Sequence, residues 1–297
     1  MAGLIEKRNG DRVVDRKKKI VVRYHGNCTD GFTGAWAAWK KFGNKAQYIG
    51  VKHSAPPPAG ITDKDAVYMI DYTYPWKYLS KIIKDNKRVT SVDHHISAKE
   101  NTEKTFQYSY ALNNSGAVLA WKYFHPEKKV PVISRHVEDI DIWKFKLPRT
   151  REIFAYMDLF DYDFKTWDKL AKKLENPKTR KQVIKDGTIA LLHEDRLVDR
   201  LVANNAELVK FEGIKAYAIN SPNFPSQLGH RLVLKLPPIG IVWHEKADKI
   251  NVSLRSDGNT DVAKLAGKYG GGGHKAASAF TVPKGSKLPW KALESRS

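Results

Sequence analysis

The sequence predicts an α/β fold in two parts. An N-terminal domain has a mostly parallel sheet flanked by helices, a linker helix follows, and a smaller α/β domain with a mixed sheet completes the chain. Three observations predict this. Short β-branched runs alternate with helix-length stretches through the first half, which is the spacing of βαβ units. Leucines and valines recur at helical period over residues 189–211. From Gly213 onward the pattern changes to short strands around a run of glycines. With 297 residues, 41% hydrophobic and 28% charged, the chain has the length and composition of two globular domains. The expected boundaries are a basic arm over 1–19, a first domain over 20–188, the linker helix over 189–212, a second domain over 213–285 and a tail over 286–297.

Residues 20–24 (IVVRY) form the first expected strand, and residues 25–34 (HGNCTDGFTG) a glycine-bearing loop. Residues 35–42 (AWAAWKKF) are helical and closed by Gly43. Residues 47–51 are a second strand, Pro56-Pro57-Pro58 a loop, and residues 66–70 (AVYMI) a third strand ending on Asp71. Pro75 opens a helix over 76–86, and residues 88–92 make the fourth strand. Ser115-Gly116 caps a helix through Val118, Leu119, Trp121 and Phe124. Residues 132–142 are a helix or helix-like turn carrying Glu138-Asp139-Ile140-Asp141, and residues 164–185 a strongly basic helix. In that helix Trp167 lies among Lys165, Lys169, Lys172 and Lys173, where it either stacks on a base or packs against its own domain. Strands follow over 215–219, 239–243 and 249–254, then a helix over 261–268, the tetraglycine run and a last strand over 276–282.

Composition narrows the function. No run of about 18 apolar residues exists, so no membrane span and no membrane partner are expected. Residues 1–19 are charged and lack an apolar core, so they do not read as a secretory signal. Cys28 is the only cysteine; an intrachain disulfide is excluded and a reducing cytoplasm fits. The 52 Lys+Arg against 32 Asp+Glu give a net charge of +20, which attracts polyanions. A short nucleic acid or nucleotide is the natural substrate, a lysine-rich solvated surface is the competing reading, and a homodimer is left open.

Three expected strands end in metal-ligand residue types. The first delivers His25 and then Asp30, the third Asp71, the fourth Asp93, His94 and His95. In a parallel sheet these ends share one edge, so residues distant in sequence converge. Oxygen and nitrogen donors crowded there suit Mn²⁺ or Mg²⁺. Two such ions about 4 Å apart share a carboxylate and stabilise charge developing at phosphorus. Asp71, after a central strand, is the natural bridge, and Asp139 and Asp141 stand ready to complete the cluster. A second constellation is Gly270 to Gly273, whose backbone N–H groups can close around an anion, with His274, Lys275 and Arg255 adding donors. A flexible turn is the alternative for the glycines, and a surface ion pair for Arg255.

Together these residues resemble the DHH phosphoesterase superfamily, which includes RecJ-type exonucleases, nanoRNases and family II pyrophosphatases. The resemblance runs from about Lys19 to Val282. Its strongest marks are Asp93-His94-His95 and Gly271-Gly272-Gly273-His274; Ile70-Asp71-Tyr72 and Glu138-Asp139 look like further family motifs. It implies a DHH catalytic domain over 20–188 and a DHH-associated substrate-binding domain over 213–285. It also implies that His25 and Asp71 hold one Mn²⁺, and that Asp30, Asp71, His94 and Asp139 hold the other. His95 would touch the scissile phosphate, Asp93 would orient a ligand histidine, and Asp30, Asp93 and His95 form the implied catalytic set. Arg255, Gly271, Gly272, Gly273 and His274 would bind the far end of the substrate. The Gly-Gly-Gly-His motif favours members that cut phosphodiesters. One departure is visible. Many members have two aspartates one residue apart in the first motif, whereas this chain has His25-Gly26-Asn27-Cys28-Thr29-Asp30 with a single acid. Cys28 is then either a thiolate ligand or a small buried residue.

The expectation is a Mn²⁺-dependent phosphodiesterase or exonuclease, releasing 5′-mononucleotides from short oligonucleotides or linear or cyclic dinucleotides. The alternatives are a hydrolase of pyrophosphate, polyphosphate or a 3′-phosphorylated nucleotide, and a nucleic-acid-binding protein with a degenerate core.

Overall fold

The computed structural model describes residues 14–15, 17–52, 56–58 and 60–293. Most of the basic arm expected over 1–19, and residues 294–297 of the tail, lie outside them. The chain divides into two compact units, Met1–Leu191 and Leu192–Ser297.

In the first unit, β1 (Ile20–His25), α1 (Thr29–Phe42), β2 (Ala46–Val51), β3 (Ala66–Ile70), α2 (Trp76–Lys84), β4 (Val89–Asp93), α3 (Lys99–Glu103) and β5 (Gln107–Tyr110) follow one another. The helices α4 (Gly116–Phe124), α5 (Val132–Asp141), α6 (Thr150–Met157) and α7 (Phe164–Glu175) come next, and α8 (Pro177–Asn205) starts in the first unit and ends in the second. The five strands lie in the order β2-β1-β3-β4-β5, and all four pairings are parallel. Both faces of the sheet are apolar, which is why its central strands read as near-continuous hydrophobic runs. Val22, Ile70 and Val92 pack on one side with Trp36, Ala120 and Ile133. Val21, Val67, Met69 and Val89 pack on the other with Leu79 and Ile82. The strand order reverses between β1 and β3. A sheet of this kind opens a crevice at that switch point, beyond the carboxyl ends of the strands.

In the second unit, β6 (Glu207–Phe211), β7 (Ile214–Asn220), α9 (Pro225–Lys235), β8 (Ile239–Glu245), β9 (Lys249–Ser256), α10 (Val262–Gly267), β10 (Gly272–His274), β11 (Ala277–Pro283) and β12 (Trp290–Ala292) form a seven-strand sheet ordered β10-β11-β9-β8-β7-β6-β12. Only β7 and β8 pair in parallel among its described strands, so the sheet is mixed. No helix among the described residues is long and apolar enough to cross a membrane.

Several expected boundaries shift, each for a local reason. The basic helix over 164–185 is two helices, because Pro177 has no N–H to continue α7 and instead starts α8. The linker helix expected over 189–212 runs instead from Pro177 to Asn205, and residues 207–211 are strand β6. There Val209 and Phe211 are buried while Lys210 between them is exposed, a period of two that the leucine–valine stripe concealed. Glu212 (φ 50°) and Gly213 (φ 83°) then make a two-residue hairpin to β7, the left-handed geometry such a turn demands. The tail carries β12, which pairs with β6. Trp167 is 1% exposed, its ring N–H donates to Thr33 Oγ1 at 3.0 Å, and it meets Phe32 edge-on. It packs against its own domain, and the lysines around it are solvent-facing company rather than part of a base-stacking site.

Candidate metal centre

The residues after β1, β3 and β4 meet at the switch point. Asp71 follows β3 with a left-handed backbone (φ 56°), a strained geometry for a residue with a side chain. Its carboxylate lies at the centre of the group. Oδ2 is 3.3 Å from His25 Nδ1 and accepts from the Cys28 thiol at 3.7 Å. Oδ1 is 3.1 Å from His94 Nε2 and 3.8 Å from His95 Nδ1. His94 Nε2 is in turn 3.5 Å from Asp141 Oδ2 and 3.8 Å from Asp30 Oδ2. Three sets therefore have ligand atoms close enough to share an ion: His25, Cys28 and Asp71; Asp71, His94 and His95; and Asp30, His94 and Asp141. They overlap through Asp71 and His94.

Backbone and neighbours hold these groups in place. Asp30, in the first turn of α1, accepts from the Gly116 N–H at 2.6 Å and the Ala117 N–H at 2.9 Å, so the N-terminus of α4 fixes both its oxygens. Gly116 has no substitute here. A Cβ would stand 2.7 Å from Asp71 Cβ and 2.9 Å from Asp30 Oδ2. Asp93, fully buried, turns inward: its Oδ1 accepts from the His94 and His95 N–H groups at 2.8 and 3.0 Å and lies 2.8 Å from His95 Nδ1. Its Oδ2 accepts from Thr73 Oγ1 at 2.7 Å, which also meets Thr102 at 2.8 Å. Asp93 thus aims the two histidines and does not join the donor sets.

The cluster crowds negative charge that its own protons partly offset. Burial raises the Asp30 carboxyl well above the usual range, and Asp141 and Asp71 push it further. Burial and the nearby Asp71 raise Asp141 to about 6. Burial works against charge on His94, but its hydrogen bond to Asp71 and the pull of Asp30, Asp71 and Asp141 win, raising it to about 10. Asp71 is held well below the usual range despite burial, by hydrogen bonds with His25 and His94. Protons thus offset part of the crowded negative charge, the place a divalent cation takes when ligands are deprotonated. Burial raises the Cys28 thiol strongly, with Asp71, Asp141 and Asp30 adding to it, so the thiol is neutral and donates to Asp71.

One expected ligand is elsewhere. Asp139 accepts from the Lys146 N–H at 2.8 Å, the Leu147 N–H at 3.2 Å and Thr150 Oγ1 at 2.6 Å, while its carbonyl accepts from the N–H groups of Lys144 and Phe145 at 2.8 and 3.1 Å. It orders the loop between α5 and α6. Asp141 enters the cluster instead. Residues two apart on a helix face away from each other, so α5 can offer one of the two acids but not both. Gly116, Thr73 and Thr150 were not among the expected site residues. The serine-glycine cap before α4 was the only signal at Gly116, and nothing in the sequence marked the threonines.

In the second unit, His274 on β10, Ala277 on β11 and Arg255 on β9 stand in one register row, which puts His274 and Arg255 on the same sheet face with a small residue between them. Arg255 Nη2 donates to Ser226 Oγ at 2.6 Å and Nη1 to the Leu254 carbonyl at 2.9 Å, and burial lowers its pKa to about 10. Among the described residues no carboxylate pairs with it. The glycine run has its own packing reasons. A Cβ on Gly271 would collide with the Ala279 carbonyl oxygen, and one on Gly273 (φ 143°) would stand 2.6 Å from that of Ala277; Gly272 faces open space. The Gly271 N–H donates to the Ala266 carbonyl at 3.0 Å. Close approach of β10 to β11 therefore accounts for two of the glycines, and the Gly271 amide is engaged within the protein.

Fold and cluster together define an α/β protein with a divalent-metal type of site at the carboxyl edge of its first sheet. Residues 234–294 match the model of the DHHA1 domain. An uncharacterized protein, R106 of Acanthamoeba polyphaga mimivirus, is 30% identical over 309 residues, covering 95% of this chain and 72% of that protein. Among solved structures, the DHH domain of a member of the s1p family of ribosomal proteins aligns with 90% of this chain and 83% of its own at 14% identity and a TM-score of 0.58. RecJ from Thermus thermophilus, in complex with Mn²⁺, aligns with 90% of this chain and 50% of its own at 13% identity and a TM-score of 0.53. This chain belongs to the DHH phosphoesterase superfamily.

Proposed function

We propose that this chain is a divalent-metal-dependent phosphodiesterase that hydrolyses short oligonucleotides, or linear or cyclic dinucleotides, to 5′-mononucleotides, with Mn²⁺ as the working ion and Mg²⁺ as a substitute. The observation that carries this reading is the overlap of three donor sets through Asp71 and His94. Asp71 offers its two oxygens to different partners, His25 and Cys28 on one side and His94 on the other, as a carboxylate shared by two ions does. His25 and Asp71, with Cys28 beside them, would hold one ion, and Asp71, His94, Asp30 and Asp141 the other. When bound, such ions supply a Lewis acid at the phosphate and lower the pKa of water. Cys28 stands where a second carboxylate would strengthen the first site, so we assign that site the weaker affinity.

The protein's own groups do the rest. His95, aimed by Asp93, is placed beside the cluster to hold a phosphate oxygen or pass a proton to the leaving oxygen. In the second unit, Arg255 and His274 share a sheet face and would offer donors to an anion. A net charge of +20 draws in a polyanionic substrate. The Mn²⁺ in the RecJ structure, a chain of the same fold, agrees with the choice of ion.

The test is release of mononucleotide from 5′-labelled di- to decanucleotides with Mn²⁺, with Mg²⁺ and with EDTA, beside His94→Ala and Asp71→Asn proteins and with pyrophosphate in parallel. Metal-dependent release is expected, and each substitution lowers kcat/KM by about 10²- to 10³-fold, the scale of losing one stabiliser of the reacting charge. Full activity in either variant sinks the assignment. Phosphate released from pyrophosphate, with no mononucleotide from any oligonucleotide, moves the protein to the small-phosphate hydrolases.

A further inference from the structure

Beside the loop that carries the donors lies a cavity of about 350 Å³ that the metal chemistry does not use. It belongs wholly to the first unit. Gly26 and Asn27 line it, and they sit between His25 and Cys28 of the donor cluster. Its other walls are aromatic. Tyr162 and Phe164 each stack on Phe32, with ring centres 5.0 and 4.8 Å apart and planes 26° and 9° from parallel. Trp39 continues the stack behind Phe164 at 5.7 Å and 15°. Tyr48 meets Phe164 edge-on at 4.8 Å. The outer member of the stack is Tyr162, which is 39% exposed, is also met edge-on by Trp167 at 5.5 Å, and has its hydroxyl 2.9 Å from Thr29 Oγ1 in the first turn of α1.

Two glycines in the cavity wall, Gly26 and Gly50, let the chain after β1 lie close against the end of β2. A Cβ on Gly50 would stand 3.2 Å from Gly26 Cα and 3.3 Å from the Tyr24 ring, and one on Gly26 would stand 3.0 Å from the Val51 amide nitrogen. Larger residues at these positions would crowd the loop that places His25 and Cys28. The mouth is polar, with Asn27, Lys52 and the Asp163 carboxylate, which also caps α7 through the Thr166 N–H. Its volume is in the range of small-molecule sites. A site with aromatic walls, a few hydrogen-bonding groups and a lysine at its mouth suits a flat, hydrogen-bonding heteroaromatic ring attached to an anion. Near-parallel rings favour one more ring in offset stacking.

We propose that this cavity is a nucleobase subsite, holding the base of the nucleotide whose phosphate lies at the donor cluster. Stacking of this kind tolerates every base, so the subsite demands a base without choosing among them. The proposal rests on the phosphodiesterase reading above and adds to it that the substrate must carry a base on one defined side of the scissile bond.

Two measurements test it and separate it from that reading. The first compares kcat/KM for an intact dinucleotide with two analogues, each lacking one base through a tetrahydrofuran residue. Wild-type protein is expected to prefer the intact substrate over one of the two analogues by about ten- to a hundredfold, the scale of one stacked base. Tyr162→Ala collapses that ratio towards one, while Tyr162→Phe, which keeps the ring and loses the Thr29 contact, retains it. Equal turnover of all three substrates by wild type, or a ratio unmoved by Tyr162→Ala, overturns the proposal. The second measurement is calorimetric titration of the protein in Mn²⁺-containing buffer with AMP, CMP and ribose 5-phosphate. Nucleotides should bind at least about tenfold tighter than the sugar phosphate, and Tyr162→Ala should erase the difference. Base-dependent, Tyr162-sensitive binding without cleavage of any dinucleotide upholds the subsite and discards the catalytic reading. Cleavage without base-dependent binding does the reverse.

Discussion

The two units bury charge in opposite ways. At the switch point of the first sheet, Asp30, Asp71 and Asp141 gather around His94, and the excess negative charge is met by holding protons. On the second sheet, the half-buried Arg255 guanidinium has a hydroxyl and a carbonyl as its partners. Each arrangement is costly on its own, since buried charge without a counter-charge loses its hydration. Neither is explained by folding alone. The first gathers donors and negative charge that a cation would meet, and the second holds a guanidinium with no carboxylate beside it among the described residues, which an anion would meet. Crowded or unpaired charge, more than any single motif, sets these two places apart from the rest of the described residues.

The sharpest way to break the acidic half of that contrast is to separate Asp141 from Asp139. Asp141→Asn removes a cluster carboxylate and should lower Mn²⁺ affinity and activity by about 10- to 100-fold, with thermal stability of the metal-free protein held or raised because repulsion with Asp71 and Asp30 is relieved. Asp139→Ala should instead destabilise the fold by about 3 kcal/mol, since it leaves the Lys146 and Leu147 amides and the Thr150 hydroxyl without their acceptor. Metal titration and thermal melts of the two variants check this. If Asp139→Ala lost metal affinity with its melting temperature intact, the ligand roles given to the two acids would be reversed.

The basic half is probed by Arg255→Lys. A lysine keeps the charge but loses the planar fork that reaches Ser226 and leaves donors over for an oxyanion. We expect KM for a dinucleotide to rise about tenfold with kcat changed less, and the dependence of KM on salt to persist, because an ammonium still attracts phosphate. A drop in kcat at constant KM would place Arg255 at the reacting centre and end the contrast as drawn.

Much of the donor cluster was legible because strand ends are legible. The β-branched runs before His25, Asp71 and Asp93 fix where each strand stops, and parallel pairing brings the stops together. The choice between Asp139 and Asp141 was not legible. It depends on which face α5 turns to the sheet, and that is set by tertiary packing of Ile133 and Val137 in the core. Gly116 was read as half of a helix cap, whereas its absent side chain makes room for two carboxylates. Strand β6 was hidden for a related reason. Leu208, Val209 and Phe211 prolong the helical stripe by chance of spacing, and only pairing across the Glu212–Gly213 turn shows that the period had changed to two. The glycine run misled in the other direction, since Gly271 and Gly273 answer to β11 before they answer to any ligand.

The smallest expected effect concerns pH, and it tests the idea that protons stand in for metal. His94 is raised in the folded state from the ordinary range to about 10, so its contribution to stability is fully present below its unfolded pKa, near 6.5, and is lost as pH rises towards 10. Metal-free protein should therefore lose melting temperature steadily between about pH 7 and pH 10. A divalent ion bound at the cluster requires His94 without its proton, so its affinity should grow over that same interval. With saturating Mn²⁺ the decline should flatten or reverse, and the gap between the two melting curves should widen with pH. The His94→Ala protein removes the titrating group and should show a flatter metal-free profile. Parallel curves with and without Mn²⁺ from about pH 7 to 9 would mean that cation and proton do not compete for one place, and the acidic cluster would then need another account.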